Sequence, residues 1–237
     1  MTLILHGSPN SPPTRTVLAF LRFTNLPFEY KLVSLVKGDN RTPEFLKLNP
    51  LHTIPVLQED DFALNESEAI IFYLMDTRGV GKEYYPEDPK TRAQINQYLP
   101  YHHRELRPKL AKLFILVWFP QILKCSKDKI RSEALETLKQ FEEVFLGNGK
   151  KYIVGDVFTI ADIFAVNELA QIYYTVDLDF NEFPVMKEYA ERCLKNKVLE
   201  DVNREMKGFP DEMKKLKEKQ TAAAAAKKEE REKERRF

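Results

Sequence analysis

The sequence predicts an α/β amino-terminal domain followed by an all-helical domain. Over the first 80 residues, short apolar runs alternate with helical segments, and turn residues separate them. A Gly- and Pro-containing linker follows. Beyond it, apolar residues recur with helical spacing and give no convincing strand pattern. In a chain of 237 residues, 43% of them hydrophobic, two modest domains can each bury a core.

The first half of the amino-terminal domain reads as strand, helix, strand, helix. Residues 3–5 form an apolar strand, and Ser11 opens a helix whose first turn tolerates proline because its N–H groups are unpaired anyway. Residues 28–33 form the second strand. Thr42 then caps a short helix that begins at Pro43. Strands joined through a helix in this way are expected to run parallel, with a right-handed crossover.

A hairpin and a third helix complete this domain. Residues 53–57 are a strand entered through Pro55, and residues 62–64 are its short hairpin partner. Residues 65–68 start the next helix. The order βαβ-α-ββα is that of a thioredoxin-like domain, which we expect over residues 1–80.

The helical domain is expected over residues 88–210, after a linker. Residues 92–119 are one long helix or two, because Pro100 and Pro108 can kink or break them. Residues 132–145 are amphipathic. The linker residues are Gly79, Gly81, Pro86 and Pro89.

Two further helices follow in the predicted helical domain. The segment from Ile163 to Tyr174 is unusually apolar and should run through the core. A capping box of Thr159 and Asp162 precedes it. Phe183 and Pro184 begin another helix.

The carboxy-terminal tail, residues 211–237, differs in composition. Residues 213–237 contain ten Lys or Arg and five Glu, a net charge of +5, although the whole chain carries only +1. Alanines fill residues 222–226. Because the tail has nothing that can build a core, we expect a solvated helix or a partly disordered extension.

The near-neutral charge does not predict a nucleic acid or membrane partner. Cys125 and Cys193 are far apart and form no C-x-x-C motif, so neither a disulfide nor a zinc site is expected. This cysteine usage suits a reducing compartment. The amino terminus does not resemble a signal peptide, and no apolar stretch reaches the length of a membrane span. We therefore expect a cytoplasmic protein without a bound metal.

Ser11 is the first candidate functional residue. A hydroxyl at a helix amino terminus can donate a hydrogen bond to an anion, which that end of a helix favours. The alternative is that Ser11 only caps the helix, and by sequence position alone that role is the commoner one. Redox enzymes of the thioredoxin fold hold two cysteines in this turn. Here the positions are Ser11 and Thr14, which excludes disulfide chemistry.

The other two candidate sites are weaker. Glu66 beside Ser67 at a helix start suits a ligand with an amine and a carboxylate, although plain capping is the commoner reading. At Ile54-Pro55 a cis bond would turn the Ile54 backbone towards a peptide ligand, and the alternative is a proline that simply enters a strand.

Four motifs together resemble the glutathione transferase family. They are S-x-P-x-R at residues 11–15, N-P-x-H-T-I-P-V-L at 49–57, E-S-x-A-I at 66–70 and T-I-A-D-I at 159–163. The resemblance covers residues 3–209 and is greatest to the theta class, with delta-like features. It implies the glutathione transferase fold, with glutathione as co-substrate and a homodimer.

The resemblance also implies a role for individual residues. Ser11 would stabilise the glutathione thiolate, and Ile54 would pair its backbone with the cysteinyl unit. Glu66 and Ser67 would hold the γ-glutamyl end. The remaining implied residues are His52 near the glycyl end and Arg107, which would point into the active site and steer an anionic leaving group or product.

Four positions depart from the theta pattern: Asn40, Thr53, Glu68 and Arg104, of which the first two bear most on the ligand. Asn40 stands where theta chains commonly carry histidine, and Thr53 stands where they carry lysine. Both positions belong to the expected glutathione site, so the loss of cations bears on affinity for the ligand. Arg41, next to Asn40, is the candidate to replace the lost positive charge.

The helical domain is expected to line a pocket for a small hydrophobic electrophile. Its candidate residues are Leu106, Leu110, Phe114 and Trp118, and ordinary core packing is the alternative for all four. The predicted function is conjugation of glutathione to such electrophiles. The competing interpretation is a catalytically weak scaffold that engages a partner through its charged tail. A disulfide or dehydroascorbate reductase is excluded because it needs cysteine at position 11 or 14.

Overall fold

The computed structural model describes residues 2–216, 218 and 219. In them, four strands form one sheet in the order β2-β1-β3-β4. β1 and β2 are parallel, whereas β3 runs antiparallel to both β1 and β4, so the sheet is mixed as the sequence predicts. The strands are β1 (Leu3–Gly7), β2 (Phe28–Leu32), β3 (Val56–Glu59) and β4 (Phe62–Asn65).

Helices cover both faces of the sheet. Successive residues of a strand point to opposite faces, so Val56 and Leu57 serve different cores. Leu57 packs with α1 (Pro12–Phe23) and α3 (Ser67–Arg78), and Val56 packs with Phe45 of α2 (Pro43–Leu48). The amino-terminal domain is therefore a layer of two helices, a sheet and a third helix.

The carboxy-terminal domain is helical and is arranged around α7. This helix is buried over almost its whole length and packs against α1, α4, α5, α8 and α9. Since α1 belongs to the amino-terminal domain, one continuous core joins the two halves. The helices are α4 (Pro89–Tyr101), α5 (Arg107–Trp118), α6 (Lys127–Phe141), α7 (Ile160–Thr175), α8 (Pro184–Leu194) and α9 (Lys197–Val202).

Residues 92–119 form two helices, as one of the two sequence interpretations has it. Between α4 and α5 the chain makes a wide π-helical turn at His102–Leu106. Pro100 lies inside α4, and Pro108 lies in the first turn of α5, where its missing N–H is tolerated.

The predicted caps are present. The Thr42 hydroxyl accepts from the Phe45 amide at 3.3 Å, and α2 begins at Pro43 as expected. At α7 the Thr159 amide donates to the Asp162 carboxylate at 2.8 Å. Asp162 is fully buried and also accepts from the Tyr189 hydroxyl at 2.9 Å, so the cap ties α7 to α8.

The structure differs from the sequence analysis at two places in the chain. The third strand begins at Val56, because the Asn49 amide donates to the Thr53 carbonyl and hydroxyl, at 2.9 Å each, and holds Thr53 in a loop. In addition, α9 and the start of a helix at residue 204 were not predicted, whereas a helix from residue 211 onward was one of the two alternatives for the tail.

The tail is also only partly as expected. Residues 211–216 continue the helix that begins at residue 204, and Met213 packs against the core. The expectation that no residue after 210 contributes to a core is therefore wrong at Met213, whose side chain meets the apolar edge of the helical domain. The alanine run at residues 222–226 lies outside the described residues. Over the described part of the chain, no helix combines the length and the hydropathy needed to cross a bilayer.

Candidate functional site

Ser11 lies at the amino terminus of α1, in the loop that follows β1. Its backbone is extended, its hydroxyl oxygen accepts from the Thr14 amide at 3.4 Å, and its side chain is almost fully buried. The expected capping role is therefore present. Among the described residues the hydroxyl donates to none, so its proton is left for another acceptor.

The loop around Ser11 is held closely against the rest of the molecule. Gly7 lies so near Thr14 that a Cβ at Gly7 would overlap the threonine side chain. The guanidinium of Arg15 is fully buried and donates to the carbonyls of Pro9, at 2.8 Å, and Asn167, at 2.7 Å. Because Asn167 belongs to α7, the loop is fixed to the central helix of the other domain.

A polar cavity of about 180 Å³ opens beside this loop. Both domains contribute to its wall, so it lies at their junction. Five residues expected to bind glutathione or to assist catalysis line it. The lining residues are Pro13, Thr53, Ile54, Pro55, Glu66, Ser67, His103 and Arg107.

The amino terminus of α3 forms one side of the polar cavity. Glu66 adopts a positive φ of 67°, an uncommon backbone conformation for a residue with a side chain. Ser67 is the first residue of the helix and is buried. The carboxylate of Glu68, in the same turn, lies 3.1 Å from Nε2 of His103. That pair joins α3 to the π-helical turn that follows α4.

Arg107 forms the opposite side. Its Nη1 lies 2.8 Å from Oε2 of Glu168, a buried residue of α7. The guanidinium therefore lies on the wall of the polar cavity and is paired to a carboxylate beneath it. Glu168 also acts on Arg15: burial lowers the pKa of Arg15 to about 9, and the Glu168 carboxylate opposes that shift.

The other expected glutathione residues, Asn40, Arg41 and His52, do not line the polar cavity. The Asn40 side chain donates to the His52 carbonyl at 2.7 Å, so Asn40 supports the loop that leads to Thr53. Neither Asn40 nor His52 lines the cavity, and Arg41 is exposed outside it. The Ile54-Pro55 peptide bond is cis.

A second cavity, of about 550 Å³, is lined in part by the residues that precede Ser11 in its loop. Ser8, Pro9 and Asn10 line it, whereas Pro13 lines the polar cavity, so Ser11 lies between the two along the chain. Most of the wall is apolar. Its further residues are Leu32, Ser34, Leu35, Val36, Phe114, Phe119, Glu205, Phe209, Glu212, Met213 and Leu216.

Of the four residues expected to form an electrophile pocket, Phe114 lines this apolar cavity. Leu106 and Leu110 have 0% of their surface exposed and pack in the core instead, as the alternative interpretation has it. Trp118 packs edge-on against Phe209, and its indole N–H donates to the Thr175 carbonyl at 2.9 Å. The helical spacing of these four residues does not show which of them line a cavity and which pack in the core.

Several residues on the walls of the two cavities, and Glu168 beneath Arg107, were not predicted. His103 and Glu168 gave no motif, because their partners are distant in sequence. Met213 and Leu216 lie in a helix whose charged composition concealed its apolar face. Within the described residues, His, Cys, Asp and Glu form no group of three or more that could hold a metal ion.

Comparisons with known proteins agree with this architecture. Residues 5–83 match the family Glutathione S-transferase, N-terminal domain, and residues 106–197 match Glutathione S-transferase, C-terminal domain. Glutathione S-transferase 1 of Manduca sexta is 33% identical over 81% of this chain and 88% of its own length. Human glutathione S-transferase theta-1 is 35% identical over 71% of this chain and 72% of its own.

A solved human structure is also similar. It is a theta-class glutathione transferase in complex with the glutathione conjugate of 1-menaphthyl sulfate. The TM-score is 0.83 at 26% identity, with 92% of each chain covered. The two matched domains and the relatives agree with each other, and the chain belongs to the glutathione S-transferase family.

Proposed function

We propose that this chain conjugates the thiolate of glutathione to small hydrophobic electrophiles, with Ser11 as the residue that stabilises the thiolate. The observation that carries the proposal is the place of Ser11 in the chain, between Ser8–Asn10, which line the apolar cavity, and Pro13, which lines the polar cavity. A thiolate near Ser11 would have the peptide on one side and the electrophile on the other. Its lone pair forms the C–S bond, and the leaving group departs with the electrons of the bond that breaks.

The polar cavity suits the chemistry of glutathione. Ser67 and the amino terminus of α3 favour the γ-glutamyl carboxylate, and the Glu66 carboxylate favours the amine beside it. The backbone of Ile54, next to Thr53, offers hydrogen bonds to the cysteinyl unit. We propose that Arg107 supplies positive charge on this wall, which also includes Thr53, one of the two positions where a theta-class cation is missing.

The roles that we propose for residues at the glycyl end of glutathione rest on the positions of those residues in the fold. Arg41 precedes the loop that Asn40 supports and His52 lies in it, and a carboxylate there would meet the positive charge of Arg41. The apolar cavity, with Phe114 on its wall, is proposed as the electrophile site.

The decisive experiment distinguishes the helix-capping role of Ser11 from its role in stabilising the glutathione thiolate. Ser11→Ala removes both the hydroxyl donor and the cap, so we expect turnover of a benzyl halide to fall about a hundredfold. The pKa of the bound glutathione thiol, read from thiolate absorbance, should rise towards that of free glutathione. Ser11→Asp keeps an acceptor for the Thr14 amide and donates no proton. We expect it to restore stability without activity.

The proposal is wrong if Ser11→Ala leaves both turnover and the thiol pKa unchanged. An active Ser11→Asp variant would also contradict it, because the hydroxyl proton would then be dispensable.

The alternative function is a scaffold that engages a partner through its charged tail. Met213 and Leu216 line the apolar cavity, so a truncation at Gly208 would damage that cavity as well as the tail. Deleting residues 220–237 is the cleaner test. Loss of a partner with unchanged conjugation would support the scaffold function of the tail.

We also propose a cytoplasmic homodimer. Family membership supports the dimer, and light scattering should then give twice the chain mass of 27.8 kDa. Both cysteines are unpaired, which supports a reducing compartment.

A further inference from the structure

The charged residues described on the wall of the apolar cavity are all negative. Among the described residues that line it, the charged ones are Glu205 and Glu212. They are seven residues apart in the helix over residues 204–216, so they lie on the same face, two turns from each other. Phe209 lies between them on that face and also lines the cavity.

Neither carboxylate is neutralised by a described neighbour. Glu205 and Glu212 have no ion pair or hydrogen bond with the described residues, and both are exposed. Two nearby cations have other partners: Arg204 pairs with Asp201, and Lys207 pairs with Glu200. A ligand in the cavity therefore meets two carboxylates that have no ion-pair partner among the described residues.

The buried cation Arg15 interacts electrostatically with the Glu205 carboxylate. The Glu205 carboxylate raises the pKa of Arg15, against the larger lowering effect of burial. The guanidinium is fully buried and donates to the Pro9 and Asn167 carbonyls, so it cannot contact a ligand. Arg15 weakens the negative field at Glu205.

Arg107 does not supply positive charge to this cavity either. It was expected to steer an anionic leaving group, yet it lines the polar cavity and pairs with Glu168. The theta-class structure with a conjugate of 1-menaphthyl sulfate concerns an electrophile with an anionic group. In the present chain the residues on the electrophile side offer no described cation to such a group.

We propose that the apolar cavity selects amphipathic electrophiles that carry a cationic group over those that carry an anionic group. The inference rests on the proposed function, because it names the substrate class of the same site. The apolar body of the ligand would contact Phe114 and Phe209, and its cation would lie near Glu205 and Glu212. The cationic group takes no part in the reaction: the sulfur bonds to the electrophilic carbon, and the leaving group departs with its electron pair.

The test uses unreactive ligands of matched size. Binding of (1-naphthylmethyl)trimethylammonium and of 1-naphthylmethanesulfonate is measured by calorimetry on the full chain. We expect the cation to bind about tenfold more tightly at low ionic strength, and the difference to shrink as salt is added. In the double variant Glu205→Gln, Glu212→Gln the two affinities should agree within about twofold.

Two controls accompany the measurement. Glu44→Gln removes an exposed carboxylate from α2, in the other domain, and should leave the tenfold ratio unchanged. A neutral naphthylmethyl alcohol should bind equally well to the wild type and the double variant, which shows that the cavity is intact. The inference is overturned if the wild type binds anion and cation alike, or if the double variant keeps the wild-type ratio.

Conjugation distinguishes this inference from the function on which it rests. Benzyl chlorides with a trimethylammonium, a methyl or a sulfonate substituent share one leaving group and are assayed together. Turnover of the methyl compound without charge selectivity counts against the present inference alone. Charge-selective binding without turnover of any of the three counts against the proposed function and leaves the selectivity of the cavity standing.

Discussion

The Nη1 atom of Arg107 lies 2.8 Å from Oε2 of Glu168, and this pair connects the wall of the polar cavity to the central helix α7. Glu168 is 1% exposed, whereas about a third of the Arg107 side chain is accessible. The same carboxylate acts electrostatically on the fully buried Arg15. One buried anion therefore serves two guanidinium groups, one below the Ser11 loop and one on the cavity wall.

Glu168→Gln should strongly destabilise the protein. The change leaves the guanidinium groups of Arg15 and Arg107 without their shared anion, and an uncompensated buried charge costs about 3–5 kcal/mol. Urea unfolding of the wild type and the variant measures the difference.

The controls compare buried and exposed carboxylates. Glu105 pairs with Lys109 at 2.9 Å on the surface, so Glu105→Gln should leave the free energy of unfolding nearly unchanged. The double variant Arg107→Met, Glu168→Met removes one charge of each sign and should lose less stability than Glu168→Gln. If Glu168→Gln is as mild as Glu105→Gln, Glu168 does not hold these two cations.

Gly7→Ala should disturb the Ser11 loop. The new Cβ would overlap Thr14, which is fully buried and cannot move aside, and overpacking of this kind costs about 1–3 kcal/mol. We expect a lower melting temperature together with weaker conjugation, because Thr14 also donates its amide to Ser11.

Two variants test the cause of that loss. Thr14→Ser removes the methyl group that the Cβ would meet, so it should restore much of the stability when combined with Gly7→Ala. Gly208→Ala, where a Cβ meets open space within a helix, should not destabilise the protein and should raise its stability slightly, because alanine favours a helix more than glycine does. If the Thr14→Ser change restores nothing, the overlap is not the cause.

The parts of the fold that the sequence predicted depend on local signals. Ser11, Thr42 and Thr159 cap helices through the residue three positions ahead, and each is recognisable in a short window. The mixed sheet follows from the order of strands and helices. These features depend little on distant packing, which is why single-sequence reasoning recovers them.

The candidate site was predicted only in part, because its remaining contacts are long-range. Arg107 and Glu168 are 61 residues apart, and neither position alone indicates a pair. Leu106 and Phe114 share a helical stripe, yet one is core and the other lines a cavity, because what packs against each turn differs. Periodicity gives the buried face of a helix and does not give the neighbour that covers it.

Asp162 should make stability depend on pH. Burial raises its pKa from 3.8 to about 6, although N–H and O–H donors from Ile153, Thr159 and Tyr189 oppose the shift. The folded state then binds a proton more tightly than the unfolded state. The contribution is fully present below about pH 4 and is lost as pH rises through about 6.

The measurement is the free energy of unfolding at pH 4.5 and pH 6.5. Between these values the wild type should lose about 1–3 kcal/mol relative to Asp162→Asn, which has no group to titrate there. A difference between wild type and variant that stays constant over this range would show that the pKa of Asp162 is not raised. If the wild type instead gained stability relative to Asp162→Asn as pH rises, the hydrogen bonds to Asp162 would outweigh its burial.

The two cysteines should differ sharply in reactivity. Cys125 is exposed, whereas Cys193 is buried in α8, and burial raises the pKa of the Cys193 thiol to about 12. The thiolate is the reactive form, so at pH 8 fewer than about one in a thousand Cys193 side chains are ionised. Native protein should take up one equivalent of iodoacetamide quickly, at Cys125, and a second only after unfolding in guanidinium. Peptide mass spectrometry assigns the site, and Cys125→Ser should show no fast labelling. Comparable labelling rates at the two thiols in the native state would mean that α8 does not shield Cys193 as its packing against the core implies.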